Sequence, residues 1–256
     1  MRTVLVATLV ASGALVAFAQ GDFAWRGQLQ SGQTLEIKGV NGSIHAVASG
    51  SGDAEVHAFK TARRSNPDTV RIEVVPNAAG ITICAVYPDV AGQDPNLCEP
   101  GPRSHSHVQD NDTTVRFDVS VPAGVKFVGR TVNGGVEADS LASDAEGHTV
   151  NGSVKLSTTG VALANTVNGS LDVTLGRADW PGGAKFSTVN GGITLHVPSF
   201  LNANLRASVL NGTIETDFPI TVTGTVTRRR IEGTIGGGGQ NLELSTVNGN
   251  IRLKTN

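Results

Sequence analysis

Aromatic side chains are scarce in this 256-residue chain: Phe, Trp and Tyr make up 4% of it, with a single Tyr and two Trp. Trp25, Tyr87 and Trp180 therefore make a poor platform for stacking sugars. Charge is sparse too. Twenty Lys and Arg face 22 Asp and Glu, and the one basic cluster is Arg228-Arg229-Arg230, next to Glu232. Nucleic-acid binders carry a basic stripe, so no nucleic-acid partner is expected, and the Arg run reads as a solvated strand end. Helical periodicity is missing, which excludes an α/β fold. No Gly-x-Ser-x-Gly elbow and no matched His and Asp arrangement occurs, so nucleophilic hydrolase chemistry has no starting point.

The chain opens Met-Arg, runs apolar from residue 3 to 18 and reaches Ala17-Phe18-Ala19 before Gln20. A cationic start, a short apolar run and small residues at minus three and minus one read as a secretory signal peptide cleaved after Ala19. The run falls short of the roughly 20 residues a spanning helix needs, and no Cys follows it to carry a lipid anchor. Cleavage removes Arg2 and leaves 19 cations against 22 acids, a formal charge of −3. With no later spanning stretch and no sorting tail at Lys254-Thr255-Asn256, the mature protein is expected to be exported, periplasmic or extracellular, with no membrane span. In that compartment Cys84 and Cys98 default to a disulfide, which would constrain the unfolded chain by roughly 3 kcal/mol. The alternative is a metal site built from Cys84, Cys98, His105 and His107, but the spacing matches no zinc motif. No metal and no cofactor are expected.

What is abundant is Gly, 32 residues, with ten Pro, a composition of turns and strands. Much of it belongs to a repeat. Thr131-Val132-Asn133-Gly134-Gly135-Val136 recurs at Thr149, at Thr166, at Thr188 and at Thr246, with a looser copy, Val209-Leu210-Asn211-Gly212-Thr213-Ile214. Arg230-Ile231-Glu232-Gly233-Thr234-Ile235 fills the one oversized gap, and Val40-Asn41-Gly42-Ser43-Ile44 sits far upstream. From residue 133 the Asn or Glu positions lie 18, 17, 22, 21, 21 and 16 apart, a period that suits one coil of a β-solenoid.

Asn-Gly between apolar residues is ordinarily a hairpin signal, and a hairpin is the first competitor. It would oppose Val150 with Ser153 and Thr149 with Val154, mixing polar and apolar. A corner instead buries the residue before Asn and the third and fifth after it, as in Val167, Leu171 and Val173. Positive φ at Asn and Gly is the expected corner chemistry. Stacked at about 4.8 Å, the corners Asn133-Gly134, Asn151-Gly152, Asn168-Gly169, Asn190-Gly191, Asn211-Gly212 and Asn248-Gly249 would align as an amide ladder, with a row of Thr hydroxyls beside it.

The chain thus divides into a signal peptide (1–19), an N-terminal capping region with a disulfide-bearing loop (20–128) and a repeat solenoid (129–256). Strands are expected at 34–38, 43–47, 54–60, 69–75, 80–86 and 114–121, alternating as in Val70, Ile72 and Val74 against Arg71 and Glu73. His45 and His57 fall on these strands as surface positions. Residues 88–112 read as a mobile loop pinned by the disulfide, and 121–125 as the junction. Trp180, in Trp180-Pro181-Gly182-Gly183, reads as folding back over a coil edge. The expected fold class is all-β, with a C-terminal β-solenoid (a single-stranded parallel β-helix-like stack) and an N-terminal antiparallel sheet as cap.

An early V-N-G-x-I (40–44), a charged strand region (54–75), a V-P-x-G-V step (121–125) and tandem T-V-N-G-x-[IV] coils from Thr131 resemble the bacterial adhesin-type family built on domain of unknown function 4097. The resemblance covers nearly the whole mature chain. It implies an adhesin-like module without agreed catalytic residues, so no site is carried over. Glu232 and the run Gly236 to Gly239 depart from the pattern and imply a distorted or ligand-exposed coil.

The functional expectation is a non-catalytic exported scaffold or binding module of the cell envelope, taking a protein or glycan ligand on a flat strand face or its loops. A polysaccharide-active β-helix enzyme is the alternative. Its candidate acids, Glu137, Asp172 and Glu215, were they to act together, would have to converge, and they read as lying at differing positions and opposite parities after the corners. A regulatory partner in envelope stress signalling is the third reading.

Overall fold

The computed structural model describes residues 22–103, 106–222 and 226–256, so the signal-peptide residues and His105 lie outside the described residues. Among the described residues the fold is all-β apart from one 3-10 turn, Pro67–Thr69. The strands are β1 (Asp22–Gly27), β2 (Thr34–Lys38), β3 (Ile44–Ala48), β4 (Ala54–Thr61), β5 (Arg71–Asn77), β6 (Gly80–Val86) and β7 (Thr114–Val121) in the first half. In the second half follow β8 (Lys126–Arg130), β9 (Val136–Leu141), β10 (Ala145–His148), β11 (Val154–Thr158), β12 (Ala162–Asn165), β13 (Leu171–Leu175), β14 (Ala184–Ser187) and β15 (Ile193–Val197). The chain ends with β16 (Ala203–Asn211), β17 (Ile214–Thr216), β18 (Ile220–Val222), β19 (Arg230–Ile235), β20 (Asn241–Asn248) and β21 (Ile251–Thr255).

Two long sheets result. Sheet A runs β1-β4-β7-β3-β9-β11-β13-β15-β21-β17, and sheet B runs β18-β19-β16-β20-β14-β12-β10-β8-β2-β6-β5. Each coil gives one strand to each sheet, joined at an Asn-Gly corner, and neighbouring coils pair in parallel. Period-2 alternation does the rest. Leu171, Val173 and Leu175 on sheet A and Ala162, Ala164 and Phe186 on sheet B are buried in one shared core, whereas Asp172 and Lys185 point out. Trp180 closes a coil edge, buried, with its indole N–H donating to the Ala162 carbonyl at 3.1 Å and its ring edge-on to Phe186.

At the corners, each Asn Nδ2 donates to the Oδ1 of the coil below at 2.7–2.8 Å, from Asn133 on Asn41 up to Asn211 on Asn248. Backbone bonds run alongside: Gly152 N–H donates to the Asn168 carbonyl, and Asn168 N–H to the Val150 carbonyl. A third row comes from threonine. Thr131, Thr149, Thr166, Thr188 and Thr246 are buried, and each hydroxyl donates to a corner glycine carbonyl one coil away at 2.7–3.0 Å. A buried hydroxyl needs such a partner, and the stack supplies one at every step.

Four expectations need correction. First, the inward residue before the corner is Thr; Val132, Val150, Val167, Val189 and Val247, one position on in the alternation, are instead 36–39% exposed. Second, positive φ is only partly the corner chemistry: no corner Asn has it, Gly42, Gly212 and Gly249 do, at 125°, 152° and 154°, and Gly134, Gly152, Gly169 and Gly191 do not. Glycine is required by proximity. A Cβ on Gly169 would sit 2.0 Å from the Gly152 carbonyl oxygen. Third, the ladder does not follow chain order: it runs 41, 133, 151, 168, 190, 248, 211, so the upstream motif at Asn41 is its first rung and Asn248 lies below Asn211. Fourth, Glu232 is not a corner. It lies within β19, which pairs antiparallel with β16. The antiparallel strands β1, β4 and β5 close one end of the stack and β18 and β19 the other.

Replacing Gly169 with Ala is expected to destabilise the protein by about 2 kcal/mol or more, since the overlap is with backbone that cannot step aside. Denaturant titration checks this; an unchanged midpoint would refute the close-approach account of the corner.

Candidate functional site

The outer face of sheet A carries a row of polar side chains one per strand. Each is the fourth residue after a corner Asn, and in spatial order they are His45, Glu137, Lys155, Asp172, Thr194, Arg252 and Glu215. Glu137, Asp172 and Glu215 therefore share one position and one parity, against the expectation from sequence. They are nevertheless kept apart. Lys155 stands between Glu137 and Asp172, with its Nζ 2.7 Å from Glu137 and 3.7 Å from Asp139, and Arg252 lies 3.3 Å from Glu215. The Lys155 amine titrates above its ordinary value because Glu137, then Asp139, hold its proton. His45 Nε2 reaches Asp139 at 3.2 Å, and ligand-type atoms of His45, Glu137 and Asp139 lie within 4.8 Å of one another. The ammonium of Lys155 already meets the charge of both carboxylates there.

Sheet B carries a denser ionic cluster near its N-terminal end. Glu36 is buried and accepts from Arg130 Nε at 3.0 Å, Thr82 Oγ1 at 3.0 Å and the Gly101 N–H at 2.8 Å. Lys38, also buried, donates to the carbonyls of Glu99, Gly101 and Arg103, and burial lowers its pKa against the opposing pull of Glu36. Glu146 is held at about 2 by His148, with Lys126 assisting and burial opposing. Residues 96–103 are thereby tied to sheet B. The Cys84–Cys98 disulfide ties them to β6, and buried Asn96 bonds Tyr87, Pro88 and His107 backbone groups. With both sulfurs joined, the Cys and His metal alternative loses its thiolates.

Further along the same face, the exposed valines form a ridge. Between that ridge and Lys185 lies a groove of about 750 Å³ whose floor is Asn165, Ser187, Ser245 and Ser208 and whose wall is Val167, Val189, Val247 and Leu210. Ser187 donates to Asn165 Oδ1 at 2.8 Å. No protein partner among the described residues takes up the Ser208 and Ser245 hydroxyls, which line the groove with donor and acceptor capacity to spare. The groove offers an aliphatic wall and a hydroxyl floor, with His148 and Lys185 also lining it.

The family model described as Toastrack DUF4097 matches residues 126–254, half of the chain. The chain belongs to the Toastrack DUF4097 family. No curated protein sequence matches it significantly. Among solved structures, this Toastrack chain is similar to a "putative cell adhesion protein" from Clostridium sporogenes ATCC 15579, at 10% identity and a TM-score of 0.46, covering 92% of this chain and 100% of that one. It is also similar to a "putative adhesin" from Bacteroides fragilis NCTC 9343, at 12% identity and a TM-score of 0.39, covering 93% and 98%. Among the described residues of the Toastrack chain, no helix is long and apolar enough to cross a membrane.

The singled-out Asn and Gly residues gather along one edge of the stack, and His45 and His57 lie on the outer face of sheet A. Sequence reasoning missed the charged row, the groove and the network around Glu36 and Glu146. The row was available as the fourth residue after every Asn. The groove was not, because its wall was assigned to the core.

Glu146 gives a pH prediction. Its folded pKa, about 2, lies below its ordinary 4.5, so its stabilising contribution is complete above pH 4.5 and drains away as pH falls towards 2. Glu146→Gln is expected to flatten the fall in melting temperature across that window while lowering stability at neutral pH. Equal slopes for the two proteins would refute the assignment.

Proposed function

We propose that this Toastrack chain is an exported, non-catalytic adhesin-like module of the cell envelope that holds its ligand in the groove on the outer face of sheet B. The carrying observation is the groove itself: four exposed aliphatic side chains beside free Ser208 and Ser245 hydroxyls, on a face that parallel pairing keeps rigid. Aliphatic contact with a few placed polar groups is the chemistry of binding. The acids of sheet A support the same reading, since cations stand between them where a hydrolase would want a free carboxylate pair. The ligand class is a protein or glycan of the envelope, and the proposed signal peptide at 1–19 delivers the chain to it.

A pull-down from envelope extracts run alongside a glycan array tests this. Val189→Asp with Val247→Asp is expected to reduce capture at least tenfold, since each charge must be desolvated against the ligand, and to leave the melting temperature little changed. Capture that survives the double substitution would move the ligand off this face, and turnover of a captured glycan would overturn the non-catalytic reading.

A further inference from the structure

The final coil is built out of order. Strands β20 and β21 do not add to the end of the stack but enter between the coil of β14 and β15 and the coil of β16 and β17, pairing in parallel on both sides in both sheets. The residues that fill this slot are 241–248 and 251–255. Leu242, Leu244, Ile251 and Leu253 are at most 1% exposed, and Asn248 is bonded to Asn190 below and Asn211 above. Without residues 241–256 the two flanking coils would face each other as four open strand edges about 9.6 Å apart, twice the strand spacing.

The link to this segment is a glycine hinge. β19 lies on one side of β16 and β20 on the other, with Ile235 opposite Ala203 and Asn241 beside Asn204. Residues 236–240 must cross the end of β16 in that short span. Gly236, Gly238 and Gly239 do so at φ of 58°, 74° and 147°, and the crossing is fastened by Gly237 N–H on Asn202 Oδ1 at 2.7 Å and Asn204 Nδ2 on the Gly239 carbonyl at 2.7 Å. A side chain at these φ values is strained, whereas the same hinge drawn out straight needs no positive φ.

We infer that residues 241–256 form an exchangeable segment, and that the partner this slot fits is a second copy of the chain, each copy filling the other's slot. Every contact of β20 and β21 is the same whichever copy supplies them; only the hinge differs. The closed monomer and the exchanged dimer are thus separated by hinge conformation and by the entropy of association. The inference stands apart from the ligand groove proposed above.

The test is to unfold the mature chain in denaturant with its disulfide intact, refold it over a range of concentrations, and weigh the products by size exclusion with light scattering. A tenfold higher refolding concentration is expected to raise the dimer-to-monomer ratio about tenfold. The dimer should persist on dilution, since parting requires β20 and β21 to leave the core, and two differently tagged copies should be captured together only when refolded together. Gly236→Val with Gly238→Val should move the product mostly to dimer. Monomer alone at every concentration from both the wild type and the folded hinge variant would overturn the inference, as would a dimer that dissociates promptly on dilution. If the hinge variant does not fold, the wild-type series decides by the same outcomes.

Discussion

The whole stack depends on how closely one corner can approach the next. Between coils the glycine at each bend leaves its neighbour's carbonyl oxygen where a Cβ would otherwise stand, 2.0–2.1 Å from that position at Gly134, Gly152, Gly169, Gly191 and Gly249. That vacancy sets the coil spacing, and the spacing lets asparagine amides, threonine hydroxyls and backbone groups each reach a partner one rung away. The side-chain and backbone rows reinforce one another because bonds in series polarise their neighbours. The aliphatic core gains its burial only once this register is fixed.

The same register explains the outer faces. Because every coil places the same offset from Asn at the same height, any residue type repeated at that offset becomes a line across the sheet. At the fourth offset the line is charged and nearly self-neutralising; just before the Asn it is aliphatic and exposed. Function in such an architecture lies in lines and grooves rather than in a converging cluster.

Much of this could be read from residues alone. The repeat, the corner, the amide ladder and the hydroxyl row follow from Thr-Val-Asn-Gly and its period, and the strands from 34–38 to 114–121 follow from alternation. Parity before the corner could not. Thr and Val are both β-branched and nearly isosteric, so choosing the buried one required knowing that a glycine carbonyl waits inside for the hydroxyl. Chain order misled for a related reason: a parallel stack accepts the last coil at any open edge, and the local sequence of β20 and β21 is the same wherever they insert. The groove stayed hidden because its wall depended on that parity. The network around Glu36 and Lys38 stayed hidden because, beside Arg130 and Thr82, its partners come from residues 99–103 of a loop with no periodic signal.

The amide ladder has a direction. All six side-chain bonds point the same way, each NH₂ group towards the Asn41 end and each oxygen towards the Asn211 end. At the far end no donor among the described residues reaches Asn211 Oδ1. Aligned dipoles add, so this edge of the rod has electrical polarity without any net charge, and its oxygen end is presented to solvent at Asn211.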